Sequence, residues 1–434
     1  MVPRNASGNS DMNVPQIALF SYGGVANLGD DLIATVLLNH LAGDITLFCP
    51  GRDFANQEIP QWLAENNTSV QLIDEVDSVQ LRKFDVVVIG GGSLLIDYDR
   101  SFGTVVYWLT VVKKAIQAGC RVVFAFIGVG NIKHAISTLL IQIIELVDVI
   151  VVRDEPSRQR LKELGVHRRI CVAADPVFLV SLTTPAARRH DNGPLRIGVN
   201  LRSYVDLYSG SQSEHFDFVS NFLAALVAIH SEQELEVTLI PFRTHDDNDL
   251  QTLYSLAEQL KQRGVPSCCI NSVPDSIESI RSVFGRLDLF VGMRLHSIIC
   301  ALVAGIPSSG IVYAPKNESL LKLAGIPQFI IRRNMNTADV TQILRKLMHR
   351  RVTADPFRVS EIRRKCETGF EEINQFSRHA ARTNNQNRSH FRKRFRLHII
   401  WMQYRLALLV RRLQRQRKIR LVANLFGLLP AYGD

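Results

Sequence analysis

The stretch VGMRLHSIICALVAGIP, residues 291–307, sets an arginine and a histidine two residues apart where an apolar strand gives way to a helix. With Met293 to His296 extended, Arg294 and His296 project to one side of the strand while Leu295 packs on the other. Both then stand beside the electropositive amino end of the helix that opens at Ser297, whose free backbone N–H groups add to the attraction for an anion. The combination suits a small, highly charged anion; a core histidine held by ordinary hydrogen bonds is the alternative for His296. Two more cations stand at strand ends, Arg153 in VVRDEPSRQRLKELG and Lys316 in SSGIVYAPKNES. An arginine at such a point can grip a carboxylate or phosphate through two parallel hydrogen bonds, although a surface pair with Asp154 is an equally simple use of Arg153.

Other strand-to-helix turns carry glycines and carboxylates. SYGGVANLGDDLIATVLL offers Gly23, Gly24 and Gly29 for close backbone approach, with Asn27 and Asp30 as polar tips and Asp30 or Asp31 as a helix cap. DVVVIGGGSLLID runs Gly90, Gly91, Gly92 and Ser93 after the most apolar strand of the chain. Consecutive glycines can turn backbone N–H groups inward as an anion nest, or simply let a strand pack closely on a helix. Neither turn fits the dinucleotide spacing GxGxxG or the GK[ST] of a Walker loop. Asp175, in AADPVFLV, is a single carboxylate at a strand end. HDDND, residues 245–249, has the look of a metal cluster but reads better as acids gathered at a helix amino terminus. The seven cysteines are scattered with no CxxC pair, which suits reduced, buried thiols; no metal and no resident cofactor are expected.

The elements that must position these residues alternate strand and helix. At 434 residues the chain exceeds one core, so two domains are expected. Strands QIALFSY, DITLFCP, VQLID, DVVVIGG, RVVFAFIGVG, DVIVVRD and RICVAADP lead, separated by helical runs. After the aperiodic TTPAARRHDNGP come LRIGVNL, LEVTLIPF, SCCIN, DLFVGM, SSGIVY and QFIIR. Runs such as VVVIG and RVVFAFIG are continuously apolar rather than alternating, which implies parallel strands covered on both faces. The expected architecture is therefore two Rossmann-like α/β domains facing a cleft. Residues 1–15 form a flexible lead-in, 16–182 the first domain, 183–194 a linker, 195–350 the second domain and 351–434 a helical basic tail. In such open sheets ligands sit beyond the carboxyl ends of the strands, where the cations above lie.

The formal charge of +10 is a property of the tail. Residues 378–434 hold 14 of the 51 Lys and Arg and one of the 41 acids, leaving 37 bases against 40 acids in the rest. FRKRFRLHIIWMQYRLALLVRRLQRQRKIR, residues 391–420, brackets a short apolar stretch with arginines. A spanning helix needs about 20 apolar residues, so this one should lie at an anionic membrane surface, or else pack back on the first domain. Nucleic acid is disfavoured by the near-neutral body and the absence of a recognition motif. The polar opening MVPRNASGNSDMNVPQ lacks the apolar run of a secretory signal, so a cytoplasmic protein is expected, peripheral to the inner face of the plasma membrane.

Together, NLGDDLI, DVVVIGGGSLL, VVRDEPS with AADPVFL, and GMRLHSIICALVAGIPSSGIVYAPK resemble the polysaccharide pyruvyl transferase family over about residues 16–330. The resemblance implies a GT-B-like fold and transfer of the enolpyruvyl skeleton of phosphoenolpyruvate, a co-substrate, to a sugar of a cell-surface polysaccharide or its lipid-linked precursor, giving a pyruvate ketal. It implies that Arg294 and His296 are the family's Arg-x-His and that Arg153 and Lys316 are its other recurring cations. The donor side is then Arg153, Arg294, Ser297 and Lys316, with His296 as proton donor or phosphate ligand. The acceptor side is Asn27, Gly29, Asp30, Gly90, Gly91, Gly92, Ser93 and Asp175, with Asp30 and Asp175 as candidate bases. A GT-B glycosyltransferase using a nucleotide sugar and a non-catalytic membrane adaptor are the alternatives.

Overall fold

The computed structural model of the chain describes residues 14–24, 26–50, 69–73, 77–97, 103–182, 193–203, 212–244, 248–270, 272–350, 352–382 and 387–415. The first sheet holds β1 (Gln16–Phe20), β2 (Asp44–Pro50), β3 (Ser69–Ile73), β4 (Val86–Leu95), β5 (Arg121–Val129), β6 (Val149–Val152) and β7 (Cys171–Val172), ordered 3-2-1-4-5-6-7. The second holds β8 (Leu195–Asn200), β9 (Leu235–Leu239), β10 (Ser267–Cys269), β11 (Leu289–Gly292), β12 (Ser308–Val312) and β13 (Ile330–Arg332), ordered 10-9-8-11-12-13. Every named pairing is parallel, as the unbroken apolar runs require: Val86 to Ile89 and Val122 to Ile127 are all buried, covered on both faces.

The strand order reverses direction between β1 and β4 in one sheet and between β8 and β11 in the other. These are the crevices where doubly wound sheets hold ligands, because the loops on either side diverge. Helix α1 (Leu28–His40) leaves β1 at the first reversal, capped by the Asn27 side chain accepting from Gly29 N–H, with Asp30 and Asp31 complementing its dipole. The other helices described in the first domain are α2 (Ser78–Leu81), α3 (Gly103–Ala118), α4 (Ala135–Ile141) and α5 (Glu155–Glu163). In the second domain α6 (Gln212–Glu232), α7 (Leu250–Gln262), α8 (Ile277–Phe284), α9 (Leu295–Val303), α10 (Pro315–Leu323) and α11 (Thr337–Arg350) follow in turn. Residues 183–192 of the expected linker lie outside the described residues.

The C-terminal part divides in two. Helix α12 (Pro356–Arg382) returns to the first domain and buries Ile362, Cys366, Phe370 and Ile373 there, with Phe370 4.6 Å from Phe126 and Asn374 bonded to His40 O and Ala42 N. Its stripe repeats at helical spacing, so this segment belongs to the folded body rather than to a basic tail. Helix α13 (Asn387–Arg415) also lies on the first domain, burying Leu397, Ile400 and Tyr404. Lys393 meets Asp148 at 2.6 Å, and the Lys113 ammonium lies 4.0 Å from the Trp401 ring. Packing back on the body thus accounts for one face of the basic helix. No helix among the described residues is long and apolar enough to cross a membrane.

Candidate active site

The two domains touch at the amino end of α1. Leu28 N–H donates to Phe242 O at 2.9 Å and Thr244 N–H to Ala26 O at 3.1 Å, so residues 26–28 pair with the loop after β9. One residue further on, Gly29 faces the His296 imidazole so closely that a Cβ would sit 1.9 Å from Nδ1. Only glycine allows the second domain's histidine to reach this helix end.

His296 is the second residue of α9, with a side chain 15% exposed. Its Nε2 lies 3.3 Å from Asp175 Oδ2. Asp175 follows β7 and caps a short 3₁₀ turn by accepting from Val177 N–H. The same Oδ2 accepts from Arg153 Nη1 at 3.2 Å, and Arg153 Nη2 donates to Ser93 Oγ at 2.8 Å. Burial alone would raise the Asp175 carboxyl, but His296, Arg153 and the Val177 N–H outweigh it and hold the pKa at about 2. Asp175 is therefore a carboxylate throughout the neutral range, and its role as a base is weak.

Arg294 turns into the second domain instead of standing open in the cleft. Its Nε and Nη2 donate to Asp249, with Nη2 2.6 Å from Oδ1, and its backbone N–H donates to Asn200 Oδ1 at 2.9 Å. Asp249 is fully buried at the start of α7 and also accepts from Phe242 N–H, Arg243 N–H and Asn200 Nδ2. The buried pair clasps the loops after β8, β9 and β11 together. Ser297 is likewise spent: it is buried, and its hydroxyl donates to Arg294 O at 2.7 Å. Arg294 and Ser297 fix the entry of α9 and so aim His296.

Asp30 marks the centre of the site. Asn27 Nδ2 donates to its Oδ2 at 2.6 Å, and a Cβ on Gly92 would lie 3.3 Å from its Oδ1. Burial raises its carboxyl pKa, against the opposing pull of His296, Arg243, Arg153 and Lys316. Those four groups come from both domains, from the ends of β11, β9, β6 and β12, and act on one carboxylate. On the far side of Lys316, Tyr313 is buried beneath cations: Arg202 lies 5.3 Å and Lys316 5.9 Å from its ring centre. Burial would raise the Tyr313 phenol, but Lys316, Arg202 and Arg294 together lower it.

Gly90 and Gly91 do not face the cleft. They lie within β4, where a Cβ would strike Leu37 at 2.6 Å and Ile33 at 1.9 Å on α1, so they serve close packing of strand on helix. Gly92 and Ser93 do border the site, through Asp30 and Arg153. Residues unremarked in the sequence complete it: Asn200, Arg202, Arg243 and Tyr313, with Asp249 present only as a member of HDDND. Arg202 and Arg243 obey the rule that drew attention to Arg153, an arginine directly after an apolar strand, in LRIGVNLR and LEVTLIPFR. Residues 245–247 of HDDND lie outside the described residues.

A family model described as Polysaccharide pyruvyl transferase matches residues 27–315, from Asn27 at the cap of α1 to the start of α10. Among solved structures, one from Listeria monocytogenes assigned as a UDP-N-acetylglucosamine 2-epimerase is 9% identical, covers 83% of this chain and 97% of its own, and has a TM-score of 0.54. Anabaena HepE, solved in complex with UDP-glucose, is 11% identical over 84% of this chain and 98% of its own, with a TM-score of 0.52. At such identities the likeness is one of fold, two α/β domains about a cleft in the GT-B manner. No curated protein sequence matched.

Proposed function

The chain belongs to the polysaccharide pyruvyl transferase family, and from that premise we propose that it transfers a pyruvyl group from phosphoenolpyruvate to a sugar of a cell-surface polysaccharide or its lipid-linked precursor, forming a ketal. The observation that carries this reading is that Arg153, Arg243, His296 and Lys316, drawn from both domains, all act electrostatically on buried Asp30. Phosphoenolpyruvate brings a carboxylate and a phosphate, and a site that excludes water must neutralise both. Arg153, Arg243 and Lys316 do so, with Arg202 beside Tyr313 on the second domain's side.

His296, as imidazolium, gives its proton to the methylene carbon, and the C=C electron pair forms the new C–H bond, leaving an oxocarbenium-like centre at the carbon that bears the phosphate ester. Asp175 remains ionised beside Nε2 and stabilises the protonated ring. A sugar hydroxyl attacks that centre and passes its proton to Asp30, whose burial makes it a better base than an ordinary aspartate. The C–O bond to phosphate then breaks, inorganic phosphate leaving with the bonding pair, and a second hydroxyl attacks the carbon to close the ketal, its proton returning to the now neutral His296. Asn27, Gly92 and Ser93 line the first domain's side, where the acceptor enters.

Phosphate release is the test. Purified protein incubated with phosphoenolpyruvate should liberate phosphate only when a suitable glycan is added, with a matching pyruvate mass increment on the glycan. Thermal stabilisation by UDP-sugars but not by phosphoenolpyruvate would instead favour nucleotide-sugar chemistry, which the fold shared with HepE can serve.

A further inference from the structure

Among the described residues, one face of α13 packs on the body. Leu397, Ile400 and Tyr404 are buried on it, whereas Phe395, Ile399, Met402 and Leu409 are 62%, 41%, 58% and 53% exposed. At about 100° per residue these four, with half-buried Leu406 between the last two, form a single stripe directly opposite the buried face. Four large apolar side chains left in water along one helix face are a marker of an interaction surface.

Beside that stripe the helix and the first domain enclose a recess of about 530 Å³. Arg394, His398 and Arg405 contribute from α13, Lys113 from α3, and Arg82 from the turn after α2, with no carboxylate among the described residues lining it. Burial, followed by the like charges of Arg405 and Lys114, lowers the Lys113 ammonium, as expected of cations gathered without a counterion. Arg394 is anchored rather than loose, donating to Gln117 O at 2.8 Å. The helix begins at the amino edge of the first sheet, where Lys393 meets Asp148 just before β6, and runs on to α4, which follows the carboxyl end of β5. It therefore extends toward the edge at which the cleft opens.

We propose that the outer face of α13, with this recess, is a docking site for an anionic phospholipid surface. A lipid phosphate enters the recess, where Lys113, Arg394 and Arg405 supply the charge it needs and His398 a hydrogen-bonding ring, while Phe395, Ile399, Met402 and Leu409 enter the acyl boundary. Charge selects this occupant. A second copy of the chain would bring the same bases to the seam, since residues 378–434 carry 14 Lys and Arg against one acid. The inference stands apart from the donor chemistry, because binding is read without turnover.

The experiment is sedimentation of the full chain with vesicles of phosphatidylcholine alone or mixed with phosphatidylglycerol. Binding is expected to the mixed vesicles only, to weaken at high salt, and to fall about fivefold for each charge lost, so by more than that in Arg405→Glu. The pair Ile399→Glu with Met402→Glu should lose binding without a change in melting temperature, both side chains being exposed. Equal binding to both vesicle types, or to neither, overturns the proposal. So does retention by the stripe variants together with displacement by inorganic phosphate, which would make the recess a free-phosphate site. Tighter binding to duplex RNA, or a dimer that the stripe variants split while vesicle binding persists, also overturns it.

Discussion

Arg153 at the cleft and Arg294 within the second domain are buried and each meets a carboxylate, Asp175 at 3.2 Å and Asp249 at 2.6 Å, whereas on α13 Arg394, Arg396 and Arg405 are exposed and pair with no carboxylate among the described residues. A cation out of water requires a countercharge, or the desolvation cost exceeds what a ligand can return; one in water does not. Net charge therefore reports the wrong site. The +10 of the chain belongs to its tail, while the cations gathered for chemistry are offset in part by Asp30 and Asp175.

His296 sets the cleft apart from α13 by the largest margin. His296→Gln should lower turnover by roughly 10²- to 10⁴-fold, the range for loss of a positioned acid, while phosphoenolpyruvate binding is partly kept and the melting temperature barely moves. Loss of binding with the chemical step intact, seen in single-turnover kinetics, would reduce His296 to a phosphate ligand. Asp249→Ala tests the buried pair by leaving Arg294 unpartnered, at a cost of about 3–5 kcal/mol in urea unfolding. Replacing both, Asp249→Leu with Arg294→Met, should recover much of that loss, because a well-packed apolar pair needs no desolvation. A loss below about 1 kcal/mol in the single variant would mean that the pair does not hold the three loops together.

Much of this was legible in the sequence, and the parts that were not share a cause. All thirteen strands among the described residues stand where the apolar runs lie, and the strand-end rule located Arg153, Arg294, His296 and Lys316. Direction of projection was not legible. Arg294 points away from the cleft because its partner Asp249 lies 45 residues earlier, on another loop, and nothing local to GMRLHS encodes that contact. Gly90 and Gly91 read as a nest or as packing until α1 is placed against them. For α12, by contrast, the stripe Ile362, Cys366, Phe370, Ile373 was there to be read, and net charge further along the tail obscured it.

The carboxylates extend the comparison to pH. Asp175, with two cationic partners, is held at about 2, whereas Asp31, buried beside Asp30 with the Gly24 N–H as its one donor among the described residues, is pushed up to about 7. The signs are opposite. The unfolded carboxyl titrates near 3.8, so Asp175 stabilises the fold above that pH and loses its contribution as pH falls toward about 2. Between 3.8 and about 7 folded Asp31 holds a proton that the unfolded chain has lost, so stability declines as pH rises through that window. The penalty above it is on the order of 4 kcal/mol. Asp31→Asn keeps an acceptor for Gly24 and should flatten the decline, stabilising the protein at pH 8 with no gain at pH 3. A gain of equal size at both pH values would point to packing instead of titration.

The smallest effect is the most discriminating, because its sign is expected to differ between the two regions. Arg405 has no carboxylate partner among the described residues, and its charge helps to lower the Lys113 ammonium across the recess. Arg405→Glu replaces that repulsion with an attraction, so chemical denaturation should show no loss, and at most a gain of about 0.5 kcal/mol, the usual range for a surface site. The same substitution should release the protein from anionic vesicles. A cation whose removal leaves the fold no worse, yet abolishes an interaction, is held for its partner and not for stability. Arg294 is the opposite case, since removing it strands Asp249 in the core. If Arg405→Glu instead destabilised the chain by more than about 1 kcal/mol, the charges of α13 would be part of its packing, and the contrast with the cleft would fail.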